Sequence, residues 1–149
     1  MGHVIASGPG PVALDTVAFI YFIERHPVFL PLVKPLFAEI DAGRLLAVTS
    51  VITLLEALVV PYRRNDVHLA SQYEALLTRS RGLHLVEIDR PLVRSAAQLR
   101  AAHGLRTPDA LQLAAALATR CSAFVTNDRR LPRVRGLKIV QLADYAAKP

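Results

Sequence analysis

Val12-Ala13-Leu14-Asp15-Thr16 is a short apolar run that ends on a carboxylate and a hydroxyl, and an almost wholly apolar stretch from Val17 to Glu24 follows it. A β-branched run of strand length, then Asp-Thr, then a helical stretch reads as strand, turn and helix. Asp15 therefore falls at the carboxyl end of the first strand, the edge of an α/β sheet where ligands bind. The same Asp is also a good N-cap for the helix it precedes, and the local sequence admits both roles.

Outward from this stretch the same alternation continues. Helices are expected over Leu32 to Ala42, with Gly43 as C-cap, and from Ser50 to a stop at Pro61. Three more are expected over Val67 to Thr78, over Pro91 to His103 behind an Asp89 cap, and from Thr107-Pro108-Asp109 to Thr119. Strands are expected at Leu45 to Thr49, Leu83 to Ile88, Ala123 to Thr126 and Lys138 to Leu142. Helices separate nearly all the strands and no tight hairpin signal interrupts them, so the fold expected is α/β, with a mostly parallel sheet of about five strands between two helical layers.

The 149 residues suit one domain. Residues 1–11 carry Gly8, Pro9, Gly10 and Pro11 and read as a flexible leader, which leaves 12–149 for the domain. Hydrophobic residues make up 52% of the chain, which excludes a disordered tail, yet the longest apolar runs fall well short of the roughly 18 residues of a spanning helix. No secretory signal is read at the start, so a soluble cytoplasmic protein is expected. Cys121, the only cysteine, excludes an internal disulfide or a Cys-based zinc site and reads as a buried hydrophobe. Five histidines lack ligand spacing. The net charge is +6, with Arg predominant among the basic residues, and the paired donors of guanidinium favour polyanions.

Three further carboxylates stand out. Glu56 lies within Leu54-Leu55-Glu56-Ala57-Leu58-Val59-Val60, where helical spacing puts it on a face with Ile52 and Val59 or Val60. A carboxylate on such a face needs compensation by a metal or by a salt bridge to a neighbouring helix. Asp109 opens a helix, where it either serves a site or merely favours the helix dipole. Asp128 follows the strand ending in Phe124-Val125-Thr126, on the same sheet edge as Asp15, although Asn-Asp is also ordinary turn chemistry. Carboxylates gathered in one cleft repel unless a hard cation such as Mg²⁺ or Mn²⁺ neutralises them, and such a site can activate water against a phosphodiester. Arg129 and Arg130, next to Asp128, are placed either to contact phosphate or to form a solvated turn.

Leu14-Asp15-Thr16, then Thr49-Ser50 with Glu56, then Thr107-Pro108-Asp109-Ala110-Leu111-Gln112-Leu113-Ala114, then Val125-Thr126-Asn127-Asp128-Arg129-Arg130-Leu131, in this order and spacing, resembles the PIN-domain nucleases. Within them the set looks like the VapC-type toxins of toxin–antitoxin pairs. The resemblance implies a three-layer PIN-like α/β/α domain and an acidic quartet of Asp15, Glu56, Asp109 and Asp128 binding Mg²⁺ or Mn²⁺ for RNA cleavage. It further implies that Thr16 and Thr126 orient the carboxylates or the attacking water, that the protein is a homodimer, and that a cognate antitoxin fills the groove. Transfer, ribosomal or messenger RNA would be the substrate. The rival is the same fold without catalysis, a binding module acting through its basic surface or a protein partner.

Overall fold

The computed structural model describes residues 10–147. Five parallel strands form one sheet: β1 (Val12–Leu14), β2 (Ala47–Ser50), β3 (Leu83–Val86), β4 (Ala123–Thr126) and β5 (Lys138–Gln141), in the order β3-β2-β1-β4-β5. Between them run α1 (Thr16–Ile23), α2 (Leu30–Asp41), α3 (Ile52–Arg63), α4 (Val67–Arg79), α5 (Arg90–His103) and α6 (Thr107–Ala118). A 3₁₀ turn at Leu142–Tyr145 follows β5.

Alternation along the strands builds two cores. Val12, Leu14, Ala123 and Val125 face one side, where Phe19, Leu36, Phe37, Ile40, Tyr73 and Leu77 from α1, α2 and α4 close over them. Ala13, Val48 and Phe124 face the other, beneath Leu92 and Ala96 of α5 and the buried run Ala110–Ala116 of α6. Burial on both faces explains why β1, β2 and β4 read as unbroken apolar or small-residue runs, whereas the edge strands β3 and β5 are only half-buried.

The chain leaves β1 toward β2 and β3, then crosses back to β4 on the other side of β1. Strand order therefore reverses at β1, and the crevice beyond the carboxyl ends of β1 and β4 is the position a parallel sheet offers to a ligand. Register fixes what lies there: Leu14 pairs with Val125, and the Asp15 N–H donates to the Val125 carbonyl at 2.9 Å, so Asp15 and Thr126 sit side by side.

Several boundaries differ from the sequence reading. Helix α3 does not stop before Pro61 but continues to Arg63. The buried Pro61 ring packs into the layer, and its carbonyl accepts the Asp66 N–H at 2.8 Å, which ties off the end. Helix α6 has Arg106 as its N-cap and ends at Ala118, one residue before the expected Thr119, which makes Asp109 its third helical residue. Of the leader expected over 1–11, residues 1–9 lie outside the described residues. Pro11 accepts the Ser122 N–H at 2.9 Å, extending the β1–β4 pairing. Among the described residues no helix is long and apolar enough to cross a membrane. Cys121 is buried, and burial pushes its thiol up.

Candidate active site

Asp15 is both things the sequence allowed. Its Oδ1 accepts the Thr16 N–H at 2.8 Å, capping α1, while Oδ2 accepts the Thr126 hydroxyl at 2.7 Å across the sheet. Thr126 in turn accepts the Asp128 N–H at 3.1 Å, so one buried hydroxyl ties together the turns after β1 and β4. Burial first, and then the Asp109 and Glu56 charges, push the Asp15 carboxyl above the usual carboxylate range. The bonds from Thr126 and Thr16 oppose that rise.

Glu56 is half-buried on α3 and turned to Thr16 of α1, but its neighbours are not those expected. Val59 and Val60 are exposed at 39% and 42%, and the buried face of α3 is Thr53, Ala57, Leu58 and Pro61. Polar atoms rather than an apolar face receive the carboxylate: Thr16 donates its hydroxyl to Oε1 at 2.8 Å. Behind Thr16 lies a buried polar group that needs every member. Gln112 Nε2 donates to Thr53 Oγ1 at 2.6 Å, Thr53 and Thr49 hydroxyls are 2.7 Å apart, and Thr49 donates to the Leu14 carbonyl at 2.8 Å. The Gln112 Oε1 accepts the Ser50 N–H at 3.1 Å.

Asp109 and Asp128 face each other across guanidinium groups. Arg106 Nε lies 3.2 Å from Asp109 Oδ2, and its Nη2 lies 3.9 Å from Asp128 Oδ2. Arg130 grips Asp128 at both oxygens, each at 3.0 Å, and holds its carboxyl below the usual range. Arg129 turns away to Asp144 at 2.5 Å. Of the two arginines expected to await phosphate, one is paired at the C-terminal 3₁₀ turn and the other lies inside the acidic group.

The donor set suits a hard divalent cation. Every ligand on offer is oxygen, and the Asp15 carboxyl, raised chiefly by burial and further by the Asp109 and Glu56 charges, is one whose ionised form a cation would stabilise. As they stand, no three His, Cys, Asp or Glu side chains among the described residues lie close enough together to hold one ion. Two of the carboxylates are turned instead to arginine.

Two residues with a place in this site escaped the sequence reading. Gln112 was visible as the single amide in the apolar run Ala110-Leu111-Gln112-Leu113-Ala114, the same sign that drew attention to Glu56. Arg106 stands three residues before Asp109, within reach on a first helical turn, but its second contact with Asp128 exists only in the folded sheet.

An acidic crevice at the reversal point of a five-stranded parallel sheet, backed by a threonine and glutamine network, defines the class: an α/β/α domain built to present carboxylates. The PIN domain family model matches residues 12–137, and the chain belongs to that family. No curated protein is significantly similar in sequence. Among solved structures, a chain of a toxin–antitoxin complex from Klebsiella pneumoniae matches with TM-score 0.65 and 20% identity, over 85% of this chain and 94% of that one. VapBC2 from Rickettsia felis, bound to a DNA fragment from its promoter, gives TM-score 0.67 and 19% identity, over 87% and 97%. VapC20 from Mycobacterium tuberculosis, described as a sarcin–ricin loop cleaving toxin, gives TM-score 0.63 and 17% identity, over 76% and 86%.

Proposed function

We propose that this protein is a ribonuclease dependent on Mg²⁺ or Mn²⁺, an endonuclease acting in the cytoplasm as the toxin of a VapC-like toxin–antitoxin pair. The observation that carries the reading is Asp15: a half-buried carboxylate at the reversal point of the sheet, held by Thr126 and raised by burial beside Asp109 and Glu56. An unreactive fold has no need to keep three like charges within reach of one another. The solved neighbours from toxin–antitoxin complexes support a cognate antitoxin and a structured RNA substrate, and the family resemblance supports a homodimer.

Asp15, Asp109 and Asp128 would hold the cation directly or through water, and the cation would supply Lewis-acid stabilisation of the phosphodiester and of the leaving oxygen. Glu56 keeps one oxygen on Thr16, which leaves Oε2 to accept a proton from the attacking water. Thr126 and Thr16 fix the carboxylates they touch, so that their lone pairs stay aimed into the crevice. Arg130, paired with Asp128, and Arg129, paired with Asp144, are exposed basic residues where the excess positive charge of the chain would meet the RNA backbone.

The test is cleavage of total and transfer RNA by purified protein with Mg²⁺ or Mn²⁺, against EDTA and against an Asp15→Asn, Asp109→Asn variant shown to be folded. Discrete fragments that need both the metal and the two carboxylates support the reading. Cleavage that survives the variant refutes the site. No cleavage, together with no metal binding, leaves the non-catalytic binding module.

A further inference from the structure

Two guanidinium groups sit on carboxylates that the proposed function assigns to a cation. The Arg106 and Arg130 side chains are 63% and 70% exposed, while Asp109 and Asp128 beneath them are 17% and 20% exposed. The acids are thus the shielded members, and the arginines are long arms laid over them from the solvent side. Between the arms lies an open cavity of about 210 Å³, lined by Leu105, Arg106, Asp109, Arg130 and Leu131. Two positive charges on two carboxylates give the neutralisation that one divalent cation would give.

We infer that Arg106 and Arg130 form a phosphate subsite that works by exchange: without metal they occupy Asp109 and Asp128, and when a divalent cation takes those carboxylates they turn to a backbone phosphate of the RNA. The inference rests on the ribonuclease reading and adds to it a pair of residues and a coupling. A guanidinium fork matches a carboxylate and a phosphate equally well, so the same donors serve both states. Exposed ion pairs of this kind are weak, so each is displaced at a cost of only a few-fold in an equilibrium constant. Released guanidiniums would otherwise return to solvent beside a newly bound cation, and a phosphate gives them a partner there. Cation and RNA therefore strengthen each other's binding, each by the same factor. Without metal the charges of Asp109 and Asp128 are balanced by the two arginines, and the loaded site presents two forks to the backbone next to the bond that is cut.

Calorimetric titration of the RNA-free protein with Mn²⁺ tests the first half. Arg106→Gln with Arg130→Gln is expected to bind Mn²⁺ about tenfold more tightly than the unmodified chain, because its internal competitors are gone. Arg133→Gln, which removes one charge from an exposed position in the same loop, is expected to change the affinity by less than about twofold. Fluorescence anisotropy of a labelled single-stranded oligoribonucleotide, with Ca²⁺ in place of Mn²⁺ to hold back cleavage, tests the second half. Ca²⁺ should tighten binding to the unmodified chain and do so much less in the double variant, whose salt slope falls by about two. An unchanged or weaker Mn²⁺ affinity in the double variant overturns the exchange and leaves the ribonuclease reading standing wherever the unmodified chain cleaves RNA. An oligonucleotide affinity that does not respond to loss of both arginines overturns the phosphate subsite. Failure of the unmodified chain and of every variant to bind Mn²⁺ overturns the exchange, and RNA cleavage then judges the ribonuclease reading by itself.

Discussion

Replacing Gln112 by Met leaves the volume of the side chain nearly unchanged and removes its polar atoms, which isolates what the buried amide contributes. Gln112 is 2% exposed and Ser50 is fully buried, so the Ser50 N–H loses its acceptor with no water to replace it. An orphaned buried donor costs about 1–3 kcal/mol, and the lost bond to Thr53 adds about 1 kcal/mol. The sum is a destabilisation of about 2–4 kcal/mol, which for a domain of this size lowers Tm by roughly 6–12 °C. Urea denaturation of both proteins at one pH measures it, with an unchanged m-value showing that the unfolded state is the same. Gln112 also approaches Thr16, the residue that holds Glu56, so any RNA cleavage should fall more than the loss of folded protein accounts for. A destabilisation below about 0.5 kcal/mol would refute the claim that the amide joins α6 to the ends of β2 and α3.

Asp15→Asn is expected to abolish metal-dependent cleavage, and also to stabilise the metal-free protein in a pH-dependent way. Because the Asp15 carboxyl is raised in the folded chain, its contribution to stability is full below the unfolded value near 3.8 and is lost as pH rises through the folded value. The advantage of Asn should therefore grow from about pH 4 to about pH 7 in urea titrations containing EDTA, and a constant difference sinks the argument. Thr126→Val removes the hydroxyl that holds the Asp15 carboxyl down, so the acid limb of the pH–rate profile should move to higher pH, with a stability loss of about 1–2 kcal/mol from the orphaned Asp128 N–H. At Gly82 a Cβ would lie 2.4 Å from the Ile40 carbonyl oxygen and 2.7 Å from that of Leu45, both backbone atoms. Thermal melts of Gly82→Ala should accordingly show a loss of about 2 kcal/mol or more, and an unaltered Tm would contradict this close approach of Gly82 to the Ile40 and Leu45 backbone.

Much of the candidate site could be read from residue order because each acid sits at a joint. Asp15 and Asp128 follow apolar strand runs and Asp109 opens a helix, and joints in a parallel sheet share an edge. Glu56 was singled out for a reason the structure does not bear out. Its supposed apolar face includes the exposed Val59 and Val60, because helical periodicity shows which residues share a side and not which side meets the sheet. Pro61 misled in a similar way, since the ring costs one hydrogen bond and the packing around it restores the last turn of α3.

Local sequence, then, was sufficient for the succession of strands and helices and the parallel sheet, and it nominated the four candidate carboxylates, since periodicity, caps and turn residues are properties of neighbours along the chain. Tertiary structure alone decided the rest. Thr126 meets Asp15 across 111 positions, Gln112 meets Thr53 across 59, and Arg106 reaches from Asp109 to the Asp128 of another turn. Those contacts depend on strand order and register, which put β4 beside β1. No local pattern encodes where an arginine's long side chain comes to rest once two distant carboxylates are brought beneath it.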